Sequence, residues 1–136
     1  MKRTIRSFVI ATVLSTIAYP TSAELVIVVN PQNQATRMTT AQASQFFLGG
    51  SVLFTPLEQP VDAPIRAEFY KKVLEKEAAQ VQAVWARIVF TGKGKPPKEY
   101  KSSAEIKKAI SENVNAIGYI EKSAVDDSVK VIATIP

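Results

Sequence analysis

No cysteine and no histidine occur among the 136 residues, and tryptophan occurs once. Without cysteine there is no disulfide to staple the fold and no thiolate nucleophile, and a lipid-modified residue after an export signal is excluded. Without histidine the chain lacks the usual general base, the partner of a serine or cysteine nucleophile, and the commonest metal ligand. No catalytic, cofactor-binding or metal-binding set is expected, and enzyme is the least favoured class. Packing alone must hold the fold.

The N-terminal residues 1–23 read as an export signal. Lys2, Arg3 and Arg6 precede an apolar run from Phe8 to Ala18, and Thr21-Ser22-Ala23 supplies the small residues of a cleavage site. That run is short for a bilayer span, and no later segment is longer, so no membrane span is expected once the signal is removed. The signal also carries much of the basicity. The whole chain has 17 Lys+Arg against 12 Asp+Glu; three of those cations and none of the acids lie in residues 1–23, leaving 14 against 12, or +2. A nucleic-acid partner is therefore not expected. The remainder, residues 24–136, is expected to form one domain in the periplasm.

Within it, "ELVIVV" at Glu24 to Val29 is a continuous β-branched run, the pattern of a strand buried on both faces. Thr39 or Thr40 opens a helix carrying Ala43, Phe46 and Phe47 on one face, and Gly49-Gly50 closes it. A short strand is expected near Leu57. Asp62 is the candidate N-cap of the next helix, with Pro64 in its first turn. A break is expected near Lys76 to Ala79. Beyond it Val81, Val84, Trp85, Ile88 and Val89 follow the spacing of an apolar helix face, which places Trp85 in the core. "TGKGKPPKEYKSS" reads as loop. Ser102 or Ser103 caps a helix with Ile106 and Ile110 inward, "NAIGYIEKSAV" gives a strand ending near Glu121, and "VKVIATI" alternates as a last strand with Val129, Val131 and Ala133 on one face. Strands alternating with helices predict an α/β layer with a mainly parallel sheet flanked by helices.

Several motifs do not carry chemistry. "TGKGKPP" is not a phosphate loop, because Val89 stands where the first glycine is needed and Pro96 where a magnesium-binding Ser or Thr belongs. Lys93, Lys95, Lys98 and Lys101, with Tyr100, form either a solvated loop or a contact for a polyanion or protein partner. Asp126-Asp127 lacks the further oxygen ligands of a calcium loop. Gly118 marks a close approach of the strand backbone to a neighbour.

The order of "VVN", "QFFLGG", a proline-rich strand leading to a helix with Arg66 and Phe69, "W.R.VFTGKGKPP" and "NAIGYIEKSAV" resembles the phosphate-binding component of ABC importers, within the type 2 periplasmic binding protein superfamily. "FFLGG" matches the family's I-F-L-G helix end, and "NAIGYIE" its G-A-I-G-Y-V-E. The likeness is to short, single-lobe members. It implies a PBP-like domain at 24–136 linked to phosphate or oxyanion uptake or sensing, with an ABC transporter or an envelope sensor protein as partner. The alternative class is an envelope interaction module that kept the lobe without tight ligand binding. In the family a Ser-Gly-Thr turn, followed by Arg and Phe, holds the oxyanion between two lobes. Here Arg66 and Phe69 match, whereas Ala63-Pro64-Ile65 stand in place of Ser-Gly-Thr. Arg66 is accordingly the candidate oxyanion-binding residue, and Asp62 beside it is expected to act as a cap.

Overall fold

The computed structural model describes residues 24–136; the export signal expected at 1–23 lies outside the described residues. In chain order the elements are β1 (Leu25–Val29), α1 (Thr40–Phe47), β2 (Thr55–Glu58), α2 (Pro64–Phe69), a π-helical segment (Tyr70–Leu74), α3 (Ala78–Phe90), β3 (Lys98–Glu99), α4 (Ser103–Glu112), β4 (Ala116–Glu121), a 3-10 turn (Lys122–Ala124) and β5 (Lys130–Ile135). They form one five-stranded sheet in the order β3-β2-β4-β1-β5. β2 pairs in parallel with both β3 and β4, whereas β1 lies antiparallel to β4 and β5. Four strands thus share one direction, and β1 is inserted against them.

β1 is the spine because every one of its side chains is buried. Leu25, Ile27 and Val29 point into a core with α1, α2 and the π-helical segment, where Phe47, Phe69 and Tyr119 pack. Val26 and Val28 point the other way, onto Ile106 and Ile110 of α4. The Phe69 and Tyr119 rings stack at 3.8 Å with 2° between their planes. Gly118 earns its place on the α4 side: a Cβ there would sit 2.9 Å from Ile106 Cγ2 and 3.2 Å from Ile110 Cδ1. The sheet could not carry α4 this closely with any larger residue.

Local caps follow the residues. Thr39 caps α1 through the Gln42 N–H, and Gln42 returns a side-chain oxygen to the Thr39 N–H. Ser102 accepts from the Glu105 N–H at the start of α4. Asp62, however, does not cap α2. Pro64 occupies the first helical turn, which makes Ala63 the cap residue, and no side chain bonds the free N–H groups. Asp62 falls one position too early and points to solvent.

Three further departures have local causes. The loop "TGKGKPPKEYKSS" contains β3, an edge strand of two residues registered on Leu57 and Glu58. In β5 the register shifts opposite Ile27 and Val28, so that Ala133 joins Ile132 and Ile135 on the α1 side while Val131 packs on the α4 side. Such a bulge breaks the strict alternation that an uninterrupted strand would keep. Finally, Trp85 is only half-buried, at the edge of the core, with its indole N–H donating to the Phe47 carbonyl at 3.0 Å. On α3 only Val81 is fully buried, and Phe90 is 92% exposed. The apolar face is real, but little of the described chain lies over its C-terminal half.

Candidate functional site

Leu57 faces α4, so the next residue of β2, Glu58, is turned by the strand alternation into the opposite, aromatic core. An acid at that position needs donors, and three elements supply them. Arg66 on α2 brings its Nε to 2.9 Å from Glu58 Oε2. Tyr70, one helical turn later, donates its hydroxyl to the same oxygen at 2.8 Å, and Tyr119 on β4 approaches it at 3.3 Å. The wide π-helical turn Tyr70–Leu74 is capped by Glu75, whose φ of 53° is left-handed. π-turns of this kind are enriched at functional sites.

Arg66 is held by more than Glu58. Its Nε also donates to the Tyr70 hydroxyl at 2.9 Å, and its Nη1 donates to the Gln59 carbonyl at 2.8 Å. Glu99 Oε2 on β3 lies 3.4 Å from Nη1, and Glu99 Oε1 accepts from the Val61 N–H at 2.9 Å. β3 therefore matters: it is the edge strand that delivers the second carboxylate. Behind the ion cluster, the Gln59 amide donates to the Tyr119 carbonyl and to Ser103 Oγ, both at 3.0 Å, tying β2 to β4 and α4.

The electrostatics of the cluster are unbalanced. Burial pushes the Glu58 carboxyl from its ordinary 4.5 up to about 7, against the pull of Arg66 and the hydrogen bonds from Tyr70 and Tyr119. Burial raises both phenols, and the Glu58 charge raises them further. For Arg66, burial works against the charged form, but Glu58 and Tyr70 outweigh it and hold the guanidinium above its ordinary value. Both phenol donors and the Arg66 charge converge on Oε2. Glu58 Oε1 is buried and has no partner, a condition that costs about 1–3 kcal/mol and more when the group is charged.

Two clefts meet at this cluster, sharing Arg66, Tyr70 and Gln82. One, of about 1040 Å³, is lined mainly by polar and charged residues, Arg66, Lys71 and Lys76 together with Glu75, Glu77 and Gln80. The other, of about 780 Å³, runs under α3 and is walled by Trp85, Val89, Phe90, Pro96 and Pro97, with Glu58 and Glu99 at its polar end. Of the residues singled out by sequence, Arg66 lies at the junction, Trp85 in the wall, and Asp62 in neither. Lys93, Lys95, Lys98 and Lys101 of the basic loop all stay exposed, and Lys98 sits 5.2 Å from the centre of the Tyr100 ring. Sequence reasoning missed Glu58, Tyr70, Glu99 and Tyr119. The available clue was an acid ending a short strand, followed eight residues later by an arginine. No group of three potential metal-binding acids occurs among the described residues, and none of their helices is long and apolar enough to cross a membrane.

No family model and no curated protein matches the chain. Solved structures do. A phosphate ABC transporter substrate-binding protein from Clostridium perfringens, with bound phosphate, superposes with a TM-score of 0.66 at 20% identity, over 81% of this chain and 45% of that one. An ABC-type phosphate transport receptor from Vibrio cholerae gives 0.65 at 21% identity, over 81% and 47%. PstS from Borrelia burgdorferi gives 0.61 at 14% identity, over 82% and 47%. The chain spans about half the length of these proteins. At such identities the likeness is one of architecture, and it is clear: the chain is folded as a single lobe of a periplasmic-binding-protein-like α/β structure.

Proposed function

We propose that the protein is a solute-binding-type lobe of the cell envelope, exported to the periplasm, that serves uptake or sensing of phosphate or a similar oxyanion. Its partner in that role is an ABC transporter or an envelope sensor protein, to which the single lobe presents the solute. The supporting observation is the polar cleft. Arg66, Lys71 and Lys76 outnumber Glu75 and Glu77 there, and Gln80 and Gln82 add amide donors of the kind a desolvated oxyanion requires. The lobe is shared with proteins named for phosphate transport, one of them solved with phosphate.

Arg66 is the oxyanion-facing cation in this reading. Because Glu58 and Glu99 already neutralise it, an anion competes with internal carboxylates, and the isolated lobe binds weakly. Calorimetry with inorganic phosphate on the mature protein tests the proposal, with sulfate as control. Saturable heat in the millimolar range is expected. It should be reduced in Lys76→Gln, which leaves the ion cluster intact, and lost in Arg66→Gln. Absence of both heat and a melting shift in millimolar phosphate would overturn it.

A further inference from the structure

The apolar cleft has a different chemistry from the polar one, and the oxyanion reading leaves it unused. Its walls are the aromatic ring of Trp85, the exposed end of α3 at Val89 and Phe90, and the rigid pair Pro96-Pro97. Its polar end holds two carboxylates against one guanidinium, so its formal charge is −1 when both acids are ionised. Glu58 is 4% exposed and lines the cleft, and its Oε1 has no donor. Arg66 is engaged elsewhere: its Nε lies against Oε2 and the Tyr70 hydroxyl, and its Nη1 donates to the Gln59 carbonyl. A void of about 780 Å³ lies within the range of small-molecule sites, which are mostly apolar with a few convergent polar groups.

From this juxtaposition we infer that the cleft between α3 and the β2–β3 edge is a second ligand site, built for a small organic cation with an apolar body. An ammonium or amidinium head supplies the donor missing at Glu58 and a counter-charge beside the half-exposed Glu99. A buried carboxylate oxygen left unpaired is a standing penalty that such a donor removes. The hydrophobic part of the ligand covers the exposed Val89 and Phe90 and the exposed part of the half-buried Trp85. An anion is disfavoured here by the same two carboxylates, so the two clefts select opposite charges on either side of Arg66.

The raised proton affinity of Glu58 adds a signature. The groups facing it are Arg66, Tyr70, Tyr119 and Glu99; both phenols stay protonated and Arg66 stays charged near neutrality, while burial brings Glu58 up to about 7. Cation binding should therefore tighten from pH 6 to pH 8 as Glu58 ionises.

Trp85 is the single tryptophan and lines the cleft, so its fluorescence reports occupancy directly. Titration of the mature protein with phenethylammonium should give a saturable change. Ethylammonium, which lacks the body, and 3-phenylpropionate, which reverses the charge, should give none at the same concentrations. Glu58→Gln should weaken phenethylammonium roughly tenfold or more, the worth of a charge-assisted hydrogen bond. Glu99→Gln and Phe90→Ala alter exposed side chains, keep the fold as read by melting, and should each weaken it by a smaller factor. Equal response to the cation and the anion, no loss in Glu99→Gln and Phe90→Ala, or self-association that the probe competes with would overturn the inference. The phosphate titration is separate, so failure of one assignment leaves the other standing.

Discussion

Glu58 makes the stability of this protein depend on pH in a window that is otherwise quiet. The chain has no histidine, so no other side chain with an ordinary pKa titrates between pH 5 and 8. Burial raises Glu58 from 4.5 to about 7. The folded state therefore holds the proton more tightly than the unfolded state does. The sign is fixed by that inequality: stability is fully present below about pH 4.5 and is lost as pH rises through about 7. At about 1.4 kcal/mol for each tenfold change in proton affinity, the complete loss is roughly 3 kcal/mol, of which about 2–3 kcal/mol falls between pH 5 and 8. Asp126 acts in the opposite sense at the acid end. Hydrogen bonds from Lys107 and then Ser128 hold it down to about 2, so it leaves this window untouched.

Urea unfolding of residues 24–136, followed by Trp85 fluorescence at pH 5, 6, 7 and 8, measures the effect. The midpoint should fall steadily with pH while the slope of the transition stays constant. Glu58→Gln keeps the shape, removes the titration, and should flatten the profile. Its absolute stability is a poorer test, because the substitution also weakens the hold on Arg66. A flat profile in the unmutated protein would refute the reasoning, as would an equal slope in Glu58→Gln; either would mean that Arg66 and the two phenols fully offset the burial of the carboxylate.

Two further outcomes follow from the packing. Gly118→Ala should destabilise by about 1–3 kcal/mol in chemical denaturation, since the new methyl meets Ile106 at 2.9 Å; a neutral result would mean that α4 can lift off the sheet at little cost. Asp62→Ala should leave stability within about 0.5 kcal/mol, whereas Thr39→Ala should cost about 0.5–2 kcal/mol through loss of the α1 cap; thermal melts of the two variants side by side separate them.

The elements that sequence made legible are those whose cause is local. The β-branched run of β1, the threonine cap expected at Thr39 or Thr40, the serine cap expected at Ser102 or Ser103 and the break expected near Lys76 to Ala79 all depend on residues within a few positions of one another. Asp62 shows the limit even of local reasoning: two plausible cap signals sat side by side, and Pro64 in the first turn decided between positions rather than reinforcing the acid. For α3 the periodicity was right and the burial was wrong, because spacing reports which residues share a face and says nothing about what covers it. The bulge in β5 was invisible for a related reason. Alternation assumes an unbroken register, and the extra residue is set by pairing with β1, about a hundred positions away.

The ion cluster is tertiary in the same sense, and it changes what Arg66 can mean. Read along the chain, Arg66 follows a turn and precedes Phe69, and its environment is Asp62. In space its environment is Glu58 from β2, Glu99 from β3 and Tyr70 from the π-helical segment that follows α2. None of those three is specified by the turn. A lone exposed arginine would be an open anion contact; an arginine clamped by two carboxylates is one only to the extent that they release it. Protonation of Glu58 is the route the structure offers, since it lifts the closer of the two opposing charges. A monocation seated against Glu58 and Glu99 works in the same direction by offsetting one of their two negative charges. The polar and apolar clefts thus report to one guanidinium, and the carboxylate buried between them sets how much of its charge each cleft feels.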